Sequence, residues 1–415
     1  MAALIISGGN PLYGKIKMQG SKNAVLPLMA ASLVIPGKTT LLGCPRISDV
    51  FAMTDLLRKV GAKVLWQEDT LCIDASVVQP VVIGPEDTKS TRACILLLGA
   101  LISRCRSAVM AYPGGCAIGK RPVDIHLAAF KQLKVCVTEG EQISCDASKL
   151  CGAEISLTFP SVGATQNIVL AAVCGRGVTR IHNAAREPEV AWLCRFLVQA
   201  GAKISGIGTA HLLIEGVERL HEITFSVPPD RIVTGTYLAA VMLAGGEIQM
   251  TNVCPEELTA VIRPIVQAGG AVRVLEKEII AKKRGRLAAF DYLCTEPYPG
   301  FPTDMQSLFL ALAATAKGTS VIEEKIFEAR FGVAKELARL GARIWVDGAC
   351  ALVDGQRTLR GNSVHAGDLR GAAALLVAAL GAEGTTQLTG VEFLERGYEN
   401  IWEGMSGLGA DIRME

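Results

Sequence analysis

The sequence predicts an α/β fold of two domains, each built from three similar units. Two recurring joints carry that expectation, together with a composition that is 50% hydrophobic but only 5% aromatic. Such a composition, with 20% charged residues, describes a well-packed globular chain. At 415 residues it is too long for one ordinary core, so two domains are expected.

The first joint is a helix end followed by Gly-Ala and an alternating strand. It reads LRKVGAKV at 57–64, LVQAGAKI at 197–204, LARLGARI at 337–344 and MSGLGADI at 405–412. VQAGGAVRV at 266–274 is a variant with an extra Gly, and KQLKVCV at 131–137 is a degenerate copy. Gly ends the helix because it enters the left-handed region without steric cost. The second joint is an Ala-rich apolar helix that breaks into a β-branched strand, as in VLAAVCGRGVTRIHNAA and LFLALAATAKGTSVIEE. The two joints alternate, each returning after about 70 residues, as repeat architectures do. No GxGxxG follows a first strand, which argues against a doubly wound dinucleotide-binding fold. The Pro pair in SVPPDR at 226–231 stiffens an extended segment and marks a crossing between domains.

The formal charge of +2 gives no reason to expect nucleic acid or an anionic membrane as partner. Charged residues or glycines interrupt every apolar run before the ~20 residues a membrane span needs. The thirteen cysteines are odd in number and contain no CxxC, and the five histidines lie far apart in the sequence. No metal-ligand spacing appears, and neither a metal nor a cofactor is expected. The first twenty residues are too polar for a signal peptide, and a reduced, cytoplasmic setting is expected.

Four segments carry chemistry. In PGGCAIGKRPVDIH at 113–126, glycines and prolines around Cys116 describe a loop. Lys120 and Arg121 beside it would stabilise a thiolate and attract an anion, so Cys116 is a candidate nucleophile or proton donor. In MQGSKNAVLPLMAASL at 18–33, Ser21 suits a helix N-cap, with Lys22 and Asn23 in the first turn. A Lys there opposes the helix dipole, so phosphate binding competes with a solvated surface role. Arg92, Arg370 and Arg396 stand in or just before apolar or small-residue helices, at joints read as equivalent. Each suits a carboxylate or phosphate, or a structural pairing with a neighbour such as Asp368 or Glu395. In PYPGFPTDMQSLF at 297–309, Asp304 follows a Pro-rich turn and reads equally well as an N-cap and as a general base.

Together these segments resemble the enolpyruvyl transferase family, in its branch acting on UDP-N-acetylglucosamine. The resemblance spans essentially the whole chain and includes GSKNA, TRA, the Cys loop, SVGAT at 161–165, NAAREPEV at 183–190, PDRIVTGTY at 229–237, FPTDMQ, FEARF at 327–331, DLRGAAAL at 368–375 and ERGYE at 395–399. It implies two inside-out α/β domains of three pseudo-symmetric repeats, with the active site in the interdomain cleft. One domain would cover 22–229 and carry Cys116. The other would take 1–21 and 230–415 and carry Asp304, Asp368, Arg370 and Arg396.

The resemblance implies transfer of the enolpyruvyl group of phosphoenolpyruvate to the 3′-hydroxyl of UDP-N-acetylglucosamine, with release of phosphate, the first committed step of peptidoglycan synthesis. Lys22, Asn23, Arg121, Arg396 and Cys116 would hold phosphoenolpyruvate, Cys116 would deliver a proton, and Asp304 would accept the sugar hydroxyl proton. The nucleotide sugar would meet Asn23, Arg92, Arg121, Pro122, Val123, Asp124, Ile125, Ser161, Val162, Gly163, Asp304 and Ile326. Arg330, Asp368 and Arg370 would line the cleft. The retained Cys116 implies alkylation by fosfomycin, and a monomer is expected. The sequence departs from the family at Ala329, where Asn is usual, and at Phe159-Pro160, where some members carry a basic residue. Two alternatives are a shikimate 3-phosphate enolpyruvyl transferase and an inactive nucleotide-sugar-binding paralogue. The Cys loop argues against the first, and retained Lys22, Cys116, Asp304 and Arg396 argue against the second. A nucleotide-dependent cyclase on a related repeat fold lacks its phosphate-accepting His motif here.

Overall fold

A computed structural model describes residues 2–114 and 123–415. The described residues form two compact units. One runs from Gly20 to Pro228, and the other combines the chain up to Gln19 with Pro229–Glu415.

Each unit contains three copies of one motif: a strand, a core helix, a strand parallel to the first, an outer helix, and an antiparallel hairpin. Six four-stranded sheets result among the described residues, each with the hairpin's second strand lying between the second and third strands of the motif. In the second unit, for example, Leu293–Cys294 precedes helix Gln306–Ala313 and strand Thr319–Glu323. The hairpin Arg343–Asp347 and Cys350–Asp354 then completes the sheet. Along Cys350–Asp354, Ala351 and Val353 are buried while Cys350 and Leu352 are exposed, the period-2 pattern of a half-covered sheet.

The repeats close by borrowing strands distant in sequence. Ile223–Ser226 opens the first motif of its unit by pairing in parallel with Lys38–Leu42. Leu12–Lys17 does the same for Gly246–Thr251. Strand Ala3–Ser7 fills the last hairpin position, antiparallel to both Thr385–Thr389 and Asp411–Met414.

Core and outer helices differ in burial. In Leu369–Leu380 every residue from Arg370 to Leu380 is buried, as an all-round apolar helix requires. The outer helix Ser48–Lys59 buries Val50, Met53, Thr54 and Leu57, the i, i+3, i+4, i+7 stripe of a surface helix. Small residues let core helices approach closely. A Cβ on Gly99 would lie 2.5 Å from the Asn167 carbonyl oxygen, and the same contact is sealed by Gly99 N donating to Asn167 Oδ1 at 2.9 Å.

The Gly-Ala joints adopt the backbone the sequence predicts. Gly61, Gly201, Gly269, Gly341 and Gly409 all have φ between +94° and +107°. The degenerate sixth copy holds the same turn with Lys134 at φ +64°.

Candidate active site

In the Gly20–Pro228 unit, the Ser21 hydroxyl caps helix Lys22–Ser32 by accepting from Ala24 N at 3.3 Å. Lys22, at the first helical position, is buried and forms an ion pair with Asp49 at 2.8 Å. Asp49 lies in the first turn of the outer helix Ser48–Lys59, where the helix dipole favours its charge. Its Oδ2 also accepts from the buried Thr91 hydroxyl at 3.4 Å. Thr91 caps the short turn Arg92–Ile95, and Arg92 donates to the Gly114 carbonyl at 3.4 Å. Lys22, Asp49, Thr91 and Arg92 therefore form one connected set. Asp49 was not singled out from sequence, because ISDVF looks like any helix start.

Val123 precedes helix Asp124–Gln132, which places Asp124 and Ile125 in its first turn. His126 follows them, 7% exposed, and its Nδ1 accepts from Asn167 Nδ2 at 2.8 Å. The orientation of Asn167 is fixed because its Oδ1 accepts from Gly99 N while its Nδ2 also donates to the Ile95 carbonyl. Burial lowers the His126 pKa to about 4, and Arg92 pushes it the same way. Ser161 caps helix Val162–Ala172, and a Cβ on Gly163 would lie 3.3 Å from His126 Nε2. The expected nucleotide-sugar residues 123–125 and 161–163 thus flank one neutral imidazole. Cys116, Arg121 and Pro122 lie outside the described residues, as does Lys120.

In the other unit, Asp304 lies within the turn Thr303–Met305, whose cap position is Pro302, so it is not the N-cap that the sequence allowed. Both carboxylate oxygens are engaged: Oδ1 by Arg330 at 2.9 Å and Oδ2 by Arg370 at 3.1 Å. Arg370 is buried, which disfavours its charge, but the facing Asp304 carboxylate, Tyr398 and Asp230 together offset this and hold the guanidinium above its ordinary range. The pairing suggested by sequence, Arg370 with Asp368, is not formed. Asp368 instead caps helix Leu369–Leu380, accepting from Arg370 N and Gly371 N. Among the described residues, Arg330 Nε is buried with no hydrogen-bond partner, next to Ala329.

Glu324, 3% exposed, organises the neighbouring loop. It accepts from the Thr295 and Thr303 hydroxyls, each at 2.8 Å, and from the backbone N–H groups of Ile326 and Phe327. Ile326 and the Thr303–Asp304 turn are thereby fixed by one buried carboxylate.

Arg396 does not start a helix. It ends the four-residue helix Glu392–Glu395, and its place in the motif differs from that of Arg92 and Arg370, so the three are not at equivalent joints. The positions that do correspond are Lys22, Arg231 and Arg370, each in the first turn of a core helix and each buried. The turn after Arg396 is anchored by Tyr398, whose hydroxyl meets Thr236 at 2.9 Å and Arg370 at 3.5 Å.

The twelve described cysteines are free thiols, and burial pushes Cys94, Cys145 and Cys194 up to about 12, far from thiolate chemistry at neutral pH. Strand pairing brings His182 and His211 together, Nδ1 to Nδ1 at 3.2 Å, although they are distant in sequence. Among the described residues no three His, Cys, Asp or Glu side chains group as metal ligands do. No described helix is long and apolar enough to cross a membrane.

The described residues thus present a buried Lys–Asp pair in one unit, and in the other a carboxylate held between two arginines. The family described as EPSP synthase (3-phosphoshikimate 1-carboxyvinyltransferase) matches residues 6–405, and the chain belongs to this family of enolpyruvyl transferases. Relatives named UDP-N-acetylglucosamine 1-carboxyvinyltransferase match it along its length. That of Nitratidesulfovibrio vulgaris is 43% identical over 420 residues, covering 100% of both chains. That of Xylella fastidiosa is 42% identical over 422 residues, covering 100% of this chain and 99% of its own. One from Caldanaerobacter subterraneus, numbered 2, is 41% identical over 413 residues and 99% of both chains. Among solved structures, the enolpyruvyl transferase NikO from Streptomyces tendae superimposes with a TM-score of 0.89 at 26% identity, covering 100% of this chain and 98% of that one. EPSP synthase from Acinetobacter baumannii shares the fold, with a TM-score of 0.76 at 20% identity, covering 100% of this chain and 99% of its own.

Proposed function

We propose that the chain transfers the enolpyruvyl group of phosphoenolpyruvate to the 3′-hydroxyl of UDP-N-acetylglucosamine, releasing phosphate, and so commits the sugar to peptidoglycan synthesis. The carrying observation is full-length similarity at 41–43% identity to relatives named for that reaction. Its site residues follow from motif resemblance, supported by local geometry.

Lys22, Arg121 and Arg396, with Asn23, hold the phosphate and carboxylate of phosphoenolpyruvate. Cationic groups suit both anions, and a helix N-terminus adds N–H donors to the Lys22 side. Cys116 protonates the methylene carbon, which leaves C2 electrophilic. The sugar hydroxyl attacks C2 as Asp304 takes its proton, giving a tetrahedral intermediate. The C2–O bond to phosphate then breaks, and loss of a methyl proton to the Cys116 thiolate restores the vinyl group. Asp304 accepts a proton only as the new C–O bond makes the hydroxyl acidic, because Arg330 and Arg370 stabilise its ionised form. Arg330, Asp368 and Arg370 act by positioning. Arg92, Arg121 to Ile125, Ser161 to Gly163 and Ile326 hold the nucleotide sugar. The enzyme works as a cytoplasmic monomer and is alkylated by fosfomycin at Cys116.

The test is phosphate release from phosphoenolpyruvate with either UDP-N-acetylglucosamine or shikimate 3-phosphate. Release with the nucleotide sugar alone is expected, and release only with shikimate 3-phosphate overturns the assignment. Cys116→Ala is expected to lose turnover while keeping its fold.

A further inference from the structure

We infer that Gln19 is a positioning residue that sets Arg396 for phosphoenolpyruvate binding, an inference that rests on the reaction proposed above. Gln19 is half-buried and uses its whole side-chain amide on one turn. Its Nε2 donates to the Gly397 carbonyl at 3.1 Å, and its Oε1 accepts from Glu399 N at 2.8 Å. These partners are the backbone groups of the residues on either side of Tyr398, directly after Arg396. Because one partner is a carbonyl and the other an N–H, the amide orientation is fixed.

The other end of Gln19 is fixed as well. Its own carbonyl accepts from Asp230 N at 2.9 Å, and Asp230 caps the buried helix Arg231–Ala244 through Ile232 N and Val233 N. The Arg396 turn is therefore tied to that helix at two points: through Gln19 to its cap, and through Tyr398 to Thr236 in its second turn. Tyr398 anchors the inside of the turn and Gln19 its backbone. Arg396 itself ends a helix of only four residues, which supplies little rigidity of its own. Without Gln19, the turn loses both bonds that hold its backbone, and the guanidinium gains freedom that substrate binding must then remove.

The test substitutes Gln19→Met, which keeps the length and volume of the side chain but can form neither bond. The KM for phosphoenolpyruvate is expected to rise about 5- to 20-fold, with kcat and the KM for UDP-N-acetylglucosamine changed less than about 2-fold. Gln19→Asn keeps the amide on a shorter stem that cannot span both groups, and is expected to fall between. It carries the test if the Met variant melts several degrees lower. In an Arg396→Ala background, Gln19→Met is expected to add nothing further, because its effect passes through Arg396. A wild-type KM for phosphoenolpyruvate in an otherwise active Gln19→Met enzyme overturns this role alone, as does an equal rise in both KM values. Failure of the unmodified protein to release phosphate with UDP-N-acetylglucosamine overturns the reaction, and this role with it.

Discussion

Replacing Asp49 by Asn should destabilise the Gly20–Pro228 unit sharply, and the size of the effect follows from the burial of its partner. The Lys22 and Asp49 side chains are 11% and 5% exposed, and their charged atoms lie 2.8 Å apart. Asn has the same shape, but it presents either a neutral oxygen or an amide donor to the ammonium. Removing one member of a buried pair costs about 3–5 kcal/mol, since the remaining charge stays out of water. Loss of a carboxylate from the first turn of helix Ser48–Lys59 adds about 0.3–1 kcal/mol. For a unit of this size each kcal/mol shifts the melting temperature by roughly 2–4 °C, so a fall of roughly 7–24 °C is expected. Differential scanning calorimetry reads it directly. Adding Lys22→Met should recover much of the loss, because it removes the buried ammonium left without its counter-ion, while the neutral Asn can still accept from the Thr91 hydroxyl. A melting temperature within 2 °C of the unmodified protein in Asp49→Asn, or a double variant less stable than the single one, would refute the reasoning.

Lys134→Gly should stabilise the fold by roughly 0.5–1 kcal/mol in urea titration, since it relieves a left-handed residue at a joint where the other five copies have Gly. A loss of stability would mean that the side chain makes a contact worth more than the strain. Below pH 6.5, His126 should make the protein less stable. Its folded pKa is depressed to about 4, so between those values the unfolded chain binds the extra proton. The loss is nil above pH 6.5 and reaches roughly 3 kcal/mol near pH 4. His126→Gln should flatten that limb of the urea-midpoint profile, and an unchanged slope would count against it. Arg330→Met should lower kcat about 10- to 100-fold in the phosphate-release assay, because Asp304 loses a charge-assisted partner worth about 1.5–3 kcal/mol. Unchanged kcat would remove Arg330 from the positioning of Asp304.

The sequence exposed what depends on local chemistry. A Gly needed at φ near +100° recurs visibly at each Gly-Ala joint, and even the exception at Lys134 kept its flanking pattern. The Ser21 cap was legible for the same reason, since its bond reaches only three residues along the chain. Contacts between distant segments were not legible. Sequence proximity offers Asp368 as one possible partner of Arg370, but the fold supplies Asp304, sixty-six residues away. Glu324 and Asp49 look like ordinary surface acids until their burial is known, and Gln19 lies in a strand-to-helix link with no motif of its own. The strands that complete the first, fourth and sixth motifs were hidden too, because pairing partners leave no mark on each other's composition.

Strand Ala3–Ser7 has a consequence for how the protein can be made. It is translated well before its partners Thr385–Thr389 and Asp411–Met414. The unit up to Pro228 has all its strands once Ile223–Ser226 has emerged, while the early strands wait unpaired for the remainder. A fragment beginning at Pro229 would lack both of them. It would expose the open edges of Gly246–Thr251 and Asp411–Met414 and leave a gap beside Thr385–Thr389, an invitation to pair with another copy. The two units are therefore not interchangeable modules: one is a continuous piece of chain, and the other needs strands Ala3–Ser7 and Leu12–Lys17 together with the segment after Pro228.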